Sequence, residues 1–156
     1  MYKYCDVNDG YLSLHDCYAE KMRFDKGILS FELPDGFWVS KQHPQNESGN
    51  VVRTDYAQVN YHIMYEEIDG ITFYIFKEGK NGKVIREEWE AENFINAVNN
   101  GSFRVEFVTQ YKSFQSVLFK CLVWFEQEPY HYECEIILHT DKEEYEWNQL
   151  RYDCTW

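Results

Sequence analysis

Apolar and polar residues alternate with a period of two along most of this chain, and that alternation predicts strands. From Tyr11 it runs through Leu12, Leu14, Tyr18, Met22 and Phe24 to a turn at Asp25-Lys26-Gly27. Ile28 to Leu33 follows, with Leu29, Phe31 and Leu33 on one face and Ser30 and Glu32 on the other. Pro34-Asp35-Gly36 suits a tight turn, because proline presets its backbone angle and glycine tolerates positive φ. Phe37 to Ser40 is expected to pair back, and Lys41 to Asn50 is the most loop-like and mobile stretch. Ala57, Val59, Tyr61, Ile63 and Tyr65 alternate against Gln58, Asn60, His62 and Glu66, as in a strand with one wet face.

Two runs are apolar on both faces: Ile71 to Phe76, and Gln115 to Glu126 around Val117, Phe119, Cys121 and Val123. Strands of that kind are normally covered on both sides, and the second is expected to be central. Phe103 to Tyr111 alternates, as does Tyr132 to Leu138 with Cys134 and Ile136 inward, and a last short strand is expected around Tyr145 to Tyr152. One helix is predicted near residues 87–99, where Ala91, Phe94, Ile95 and Val98 share a stripe. Glu87, Glu88 and Glu90 would suit its positive end, and Asn99-Asn100-Gly101 supplies a stop. Trp89 falls off the stripe, which implies that it covers a strand edge or that the helix begins later. Eight or nine strands with one helix make a single α+β domain over residues 1–156, mostly antiparallel: an open barrel or a two-sheet sandwich.

Composition narrows the function classes. The chain has 156 residues, 29 of them aromatic, and a net charge of -12. That size and apolar content support a packed core without metals or disulfides. The acidity argues against nucleic acid, and no apolar run is long enough for a membrane span. With no leader-like start, the expectation is a cytoplasmic protein. The five cysteines are odd in number and lack C-x-x-C spacing, so free thiols are expected.

Candidate chemistry is thin. His131, Glu133, Glu135 and His139 share a strand face, but residues four apart on a strand lie roughly 13 Å apart and cannot ligate one ion without a bulge. His15, Asp16 and Cys17 are neighbours, which on a strand point to opposite faces and so make a poor dyad; Asp16 itself suggests a bulge or hairpin corner. Phosphate loops, nucleophile elbows and zinc-helix motifs are missing from the sequence. No catalytic, metal or cofactor residue is assigned, and the expectation is a non-enzyme.

Charge is more informative. Between Glu126 and Glu146 eight acids stand against one base, which is -7 of the total -12. Glu126, Glu128, Glu133, Glu135, Glu143, Glu144 and Glu146 lie there beside Tyr145 and Trp147. Acid next to large aromatics suits a surface for a basic protein, with charge steering encounter and aromatics anchoring. The bland alternative is a solvated sheet edge.

Leu14-His15-Asp16-Cys17, Leu33-Pro34-Asp35-Gly36-Phe37, and Trp124-Phe125 followed by Pro129-Tyr130-His131-Tyr132-Glu133-Cys134 resemble small acidic strand-rich bacterial proteins, some of them of the immunity type. The resemblance implies a protein that neutralises a cognate toxin by binding it, and it carries over no site residue; with the acidic charge, the expected partner is a basic protein such as a toxin. The other expectations are a barrel that binds a small ligand or carbohydrate, and a structural, oligomerising protein.

Overall fold

The structure is a computed structural model that describes residues 1–156. Its strands are β1 (Tyr4–Asp6), β2 (Leu12–Ser13), β3 (Cys17–Ala19), β4 (Lys21–Asp25), β5 (Ile28–Leu33), β6 (Trp38–Val39), β7 (Val52–Thr54) and β8 (Ala57–Ile63). They continue as β9 (Ile71–Glu78), β10 (Val84–Trp89), β11 (Arg104–Ser113), β12 (Ser116–Trp124), β13 (His131–Leu138), β14 (Thr140–Trp147) and β15 (Leu150–Thr155), with one helix, α1 (Ala91–Asn99). All pairings are antiparallel. A five-stranded sheet runs β1-β14-β8-β5-β4, a six-stranded sheet β10-β9-β13-β12-β11-β3, and a four-stranded sheet β15-β7-β6-β2.

The α+β class therefore stands, as sheets that do not close rather than a barrel, and with fifteen strands rather than eight or nine. Some of the extra strands come from long runs being cut, and β1, β7 and β10 lie where no strand was expected. The stretch from Tyr11 to Phe24 becomes β2, β3 and β4 in three different sheets, broken at Asp16, whose φ of 54° makes the expected corner. Phe37 to Ser40 does not pair back onto β5. Its strand β6 joins β2 and β7 instead. Gly36 permits the departure: at φ 72° it tolerates the turn, and a Cβ there would collide with the carbonyls of Thr54 and Asp55.

The five- and six-stranded sheets pack face to face around aromatic rings. Phe31 on β5 meets Phe107 at 5.2 Å and Phe119 at 6.4 Å, and Tyr61 on β8 meets Phe119 at 5.6 Å, all edge to face. The four-stranded sheet covers one end, where Phe37 packs against Tyr145 and Trp147 at 5.0 and 5.5 Å. The loop at 41–50, expected to be mobile, is organised from inside. Asn46 directs its amide to the carbonyls of Val39, Ser40 and Asn50. Buried His43 accepts the Gln45 N–H at Nδ1, which leaves Nε2–H to bond Asp6 at 3.0 Å.

Helix α1 begins at Ala91, four residues later than expected, because Glu87 to Trp89 complete β10. There Glu87 pairs with Lys77 at 2.9 Å, and Trp89 packs on Phe94 and Phe103. The helix seals the other margin of the sandwich by stacking Phe94 on Phe73 at 4.0 Å. At its C-terminus the Asn99 side chain accepts the Met22 N–H and donates to the Met22 carbonyl, each at 2.8 Å, so an amide takes the place of a neighbouring strand along β4. No helix is long and apolar enough to cross a membrane.

Candidate functional site

The acidic segment does not form one surface. Glu126 and Glu128 lie exposed in the turn after β12. Alternation along β13 sends Glu133 and Glu135 to the outer face of the six-stranded sheet, away from the core side of Cys134 and Ile136. Along β14, Glu144 and Glu146 reach the outer face of the five-stranded sheet, which looks the opposite way. Glu143 turns inward at the rim and takes hydrogen bonds from Gln110, at 3.2 Å, and Lys112. Tyr145 and Trp147 are fully buried, so the expected aromatic anchors are core residues and not contact residues. The physical reason is the Phe37 segment, which lies over both rings.

On the outer face of the five-stranded sheet, Glu144 and Glu146 belong to a closed polar network. Asn60 donates to Glu146 at 2.8 Å and accepts from Ser30 and Gln58 at 2.7 Å each. Glu144 bonds His62 at 2.7 Å and Lys142 at 2.7 Å, and those two hydrogen bonds hold its carboxyl below the usual range. Ser30 and Asn60 sit directly opposite in the strand register, while Asn60–Glu146 and His62–Glu144 are diagonal neighbours across β8 and β14, still within side-chain reach. Most of this face's polar groups have partners within the chain.

The outer face of the six-stranded sheet is different. Tyr18, Tyr74, Phe76, Leu118, Leu122, Trp124 and Ile137 are half-exposed there, and Tyr111 is exposed. The register sets them in adjacent rows: Tyr18, Glu106, Leu122, Glu133 and Phe76 cross five strands in one line, and Lys120, Glu135 and Tyr74 lie in the next. Tyr74, Phe76, Leu118, Leu122 and Trp124 are the outward members of the two runs that read as covered on both sides, and only one side is covered.

The charges on this face are largely paired with one another. Glu135, only 9% exposed, receives Lys120 and Arg86, the latter at 3.1 Å. Burial pushes its carboxyl up, but the hydrogen bonds from Lys120 and Arg86 outweigh that, and the net shift is downward. Arg86 also lies 3.5 Å over the Tyr74 ring and Arg104 lies 4.1 Å over Tyr18. Trp124 donates to Glu106 at 2.5 Å and rests on His131 at 4.9 Å. Glu133 joins no ion pair, nor do Glu126 and Glu128 at the margin.

Cys17 is buried, and burial pushes its thiol up to about 12, so it holds its proton at neutral pH. His15 directs Nδ1 to the Val108 carbonyl at 2.6 Å. No group of three or more His, Cys, Asp or Glu is placed to hold a metal ion, and all five cysteines are free. The larger clefts are half-open surface grooves. One of about 550 Å³ lies between Lys21, Val98, Phe103 and Trp124, against the margin of the apolar outer face.

Sequence reasoning missed Tyr18, Tyr74, Phe76, Leu118, Leu122 and Trp124 as surface residues. The signal was present as apolar residues at both parities of β9 and β12, a pattern that reads as burial. Comparison of the chain with protein-family models, curated proteins and solved structures found no match.

Proposed function

We propose that the protein is a binding module that docks a basic protein surface onto the outer face of its six-stranded sheet. One observation carries the reading: half-exposed aromatic and aliphatic side chains cover the face of a sheet that nothing in the chain packs against. An apolar area of this kind marks an interaction site more often than a free surface. Glu135, Lys120 and Arg86 already satisfy one another, so covering them leaves them hydrogen-bonded, and Glu133, unpaired between Leu122 and Phe76, is left for a cation of the partner. Leu122, Trp124 and Phe76 are the anchors, and Trp is among the residue types most enriched at hot spots.

The unpaired carboxylates supply the sign of the partner. Glu126 and Glu128 fringe the face, Glu133 lies within it between Leu122 and Phe76, and the chain carries -12. A basic protein, such as the toxin that the sequence resemblance suggests, would be steered toward that fringe and then held by the apolar centre. Occlusion of the partner's own functional surface is the mechanism this geometry favours.

The test is a paired capture from the native cell, using the wild-type protein and Leu122→Glu as baits. The wild type is expected to retain a discrete basic protein that high salt weakens, and Leu122→Glu is expected to lose it. Equal recovery by both baits would refute the reading.

A further inference from the structure

Most sheet edges in this fold are blunted. The β4 edge is occupied by Asn99 through its bonds to Met22. The β1 and β3 edges are three residues long, β2 is two, and β15 loses register between Arg151 and Thr155. Short, irregular or covered edges are how proteins avoid pairing with other chains. β10 lacks these devices. It is six residues long and pairs with β9 in continuous register from Val84 to Trp89. Val84 and Ile85 on it are 67% and 53% exposed.

The phase of that ladder fixes which groups are free. Gly79 N–H bonds the Lys83 carbonyl, so Lys83, Ile85, Glu87 and Trp89 turn their backbone groups toward β9. The N–H and C=O groups of Val84, Arg86 and Glu88 therefore point out from the edge. Lys83 and Glu88 stand exposed beside the edge and join no ion pair, while two other charges are drawn away from it. Arg86 lies back over Tyr74 toward Glu135, and Lys77 is held by Glu87. The stretch from Lys77 to Glu88 carries four bases and three acids, so the repulsion that a net charge of -12 sets up elsewhere is absent here.

We propose that β10 pairs with β10 of a second copy of this chain, antiparallel about a two-fold axis at Ile85. In that register Val84 and Arg86 of each copy exchange backbone hydrogen bonds with Arg86 and Val84 of the other. Ile85 meets Ile85 at the close, non-hydrogen-bonded position, and Lys83 of each copy stands opposite Glu87 of the other. Sliding one allowed step in either direction sets Arg86 against Arg86, or Lys83 against Ile85, so the charge pattern selects the proposed register. The two six-stranded sheets become one sheet of twelve strands, and the apolar outer faces become continuous. The inference stands apart from the partner reading, because the edge and the face are different surfaces.

Sedimentation measured from about 1 μM to 1 mM, the range of a small two-strand interface, tests it. Val84→Pro is the decisive variant. It deletes an outward N–H while sparing the β9 ladder, and Lys83, at φ -76° and ψ 136°, already has the conformation a residue before proline requires. The wild type is expected to show a monomer–dimer equilibrium, and Val84→Pro to raise its dissociation constant by about tenfold or more. Lys83→Glu, an exposed substitution, is expected to weaken the dimer, and Lys83→Glu with Glu87→Lys to restore it. A wild type that stays monomeric throughout, or a dimer that Val84→Pro and Lys83→Glu leave unchanged, would overturn the proposal.

Discussion

Arg86 on the edge strand β10 reaches across β9 to Glu135 on β13, donating to Oε2 at 3.1 Å, while Lys120 on β12 takes the other carboxylate oxygen. Four strands of the six-stranded sheet are thus tied on their outer face by one carboxylate. Glu135→Gln leaves both cations without their counter-charge. It is expected to lower stability by about 1–2 kcal/mol in urea unfolding, more than Glu133→Gln on the same strand.

The same carboxylate contributes to acid sensitivity. Its folded-state pKa is lowered, as is that of Glu144, so their contributions are complete above the ordinary carboxylate range and lost as pH falls through the lowered values. Stability is expected to drop as pH falls below about 4.5. In Glu135→Gln the drop is expected to be shallower, since one of the linked groups no longer titrates. Thermal melts across that pH range check both.

Trp147 and Tyr145 serve the core. Trp147→Ala removes a ring packed among Tyr4, Phe37 and His43 and is expected to cost about 3–5 kcal/mol. Trp124→Ala on the open face is expected to cost much less stability and to impair binding instead. Chemical denaturation of the two variants distinguishes these roles.

Thiol accessibility gives an independent check on the packing. Cys17, Cys121 and Cys134 are buried, and burial raises each thiol's pKa, whereas Cys5 is exposed and Cys154 partly so. A thiol reagent at neutral pH is expected to label Cys5 and Cys154 in the native protein and all five cysteines only after unfolding, counted by intact mass.

Local alternation made much of this architecture legible. The inward residues of β5, β8, β12 and β13 follow it, and the corner at Asp16 and the turn at Pro34-Asp35-Gly36 follow from local conformational preference. What it could not supply was the covering layer. Tyr145 and Trp147 share a face, but that Phe37 buries them is a contact more than a hundred residues long. Glu87 to Trp89 fits either a helix's first turn or a strand, and the Lys77 and Phe103 contacts decide it. The acidic run from Glu126 to Glu146 is contiguous in sequence, yet β13 and β14 belong to different sheets and send their carboxylates in opposite directions. The doubly apolar pattern of β9 and β12 was the nearest signal to the candidate site: it recorded that the outer face is apolar, and the fold leaves that face open.

The claim that this open face binds is tested most directly by placing a photo-crosslinking residue at Leu122, and separately at His62 on the opposite sheet, in the protein expressed in its native cell. The account predicts a discrete crosslink to a basic protein from position 122, abolished by Trp124→Ala, and none from position 62. A crosslink confined to position 62, or the same product from both positions, would contradict it.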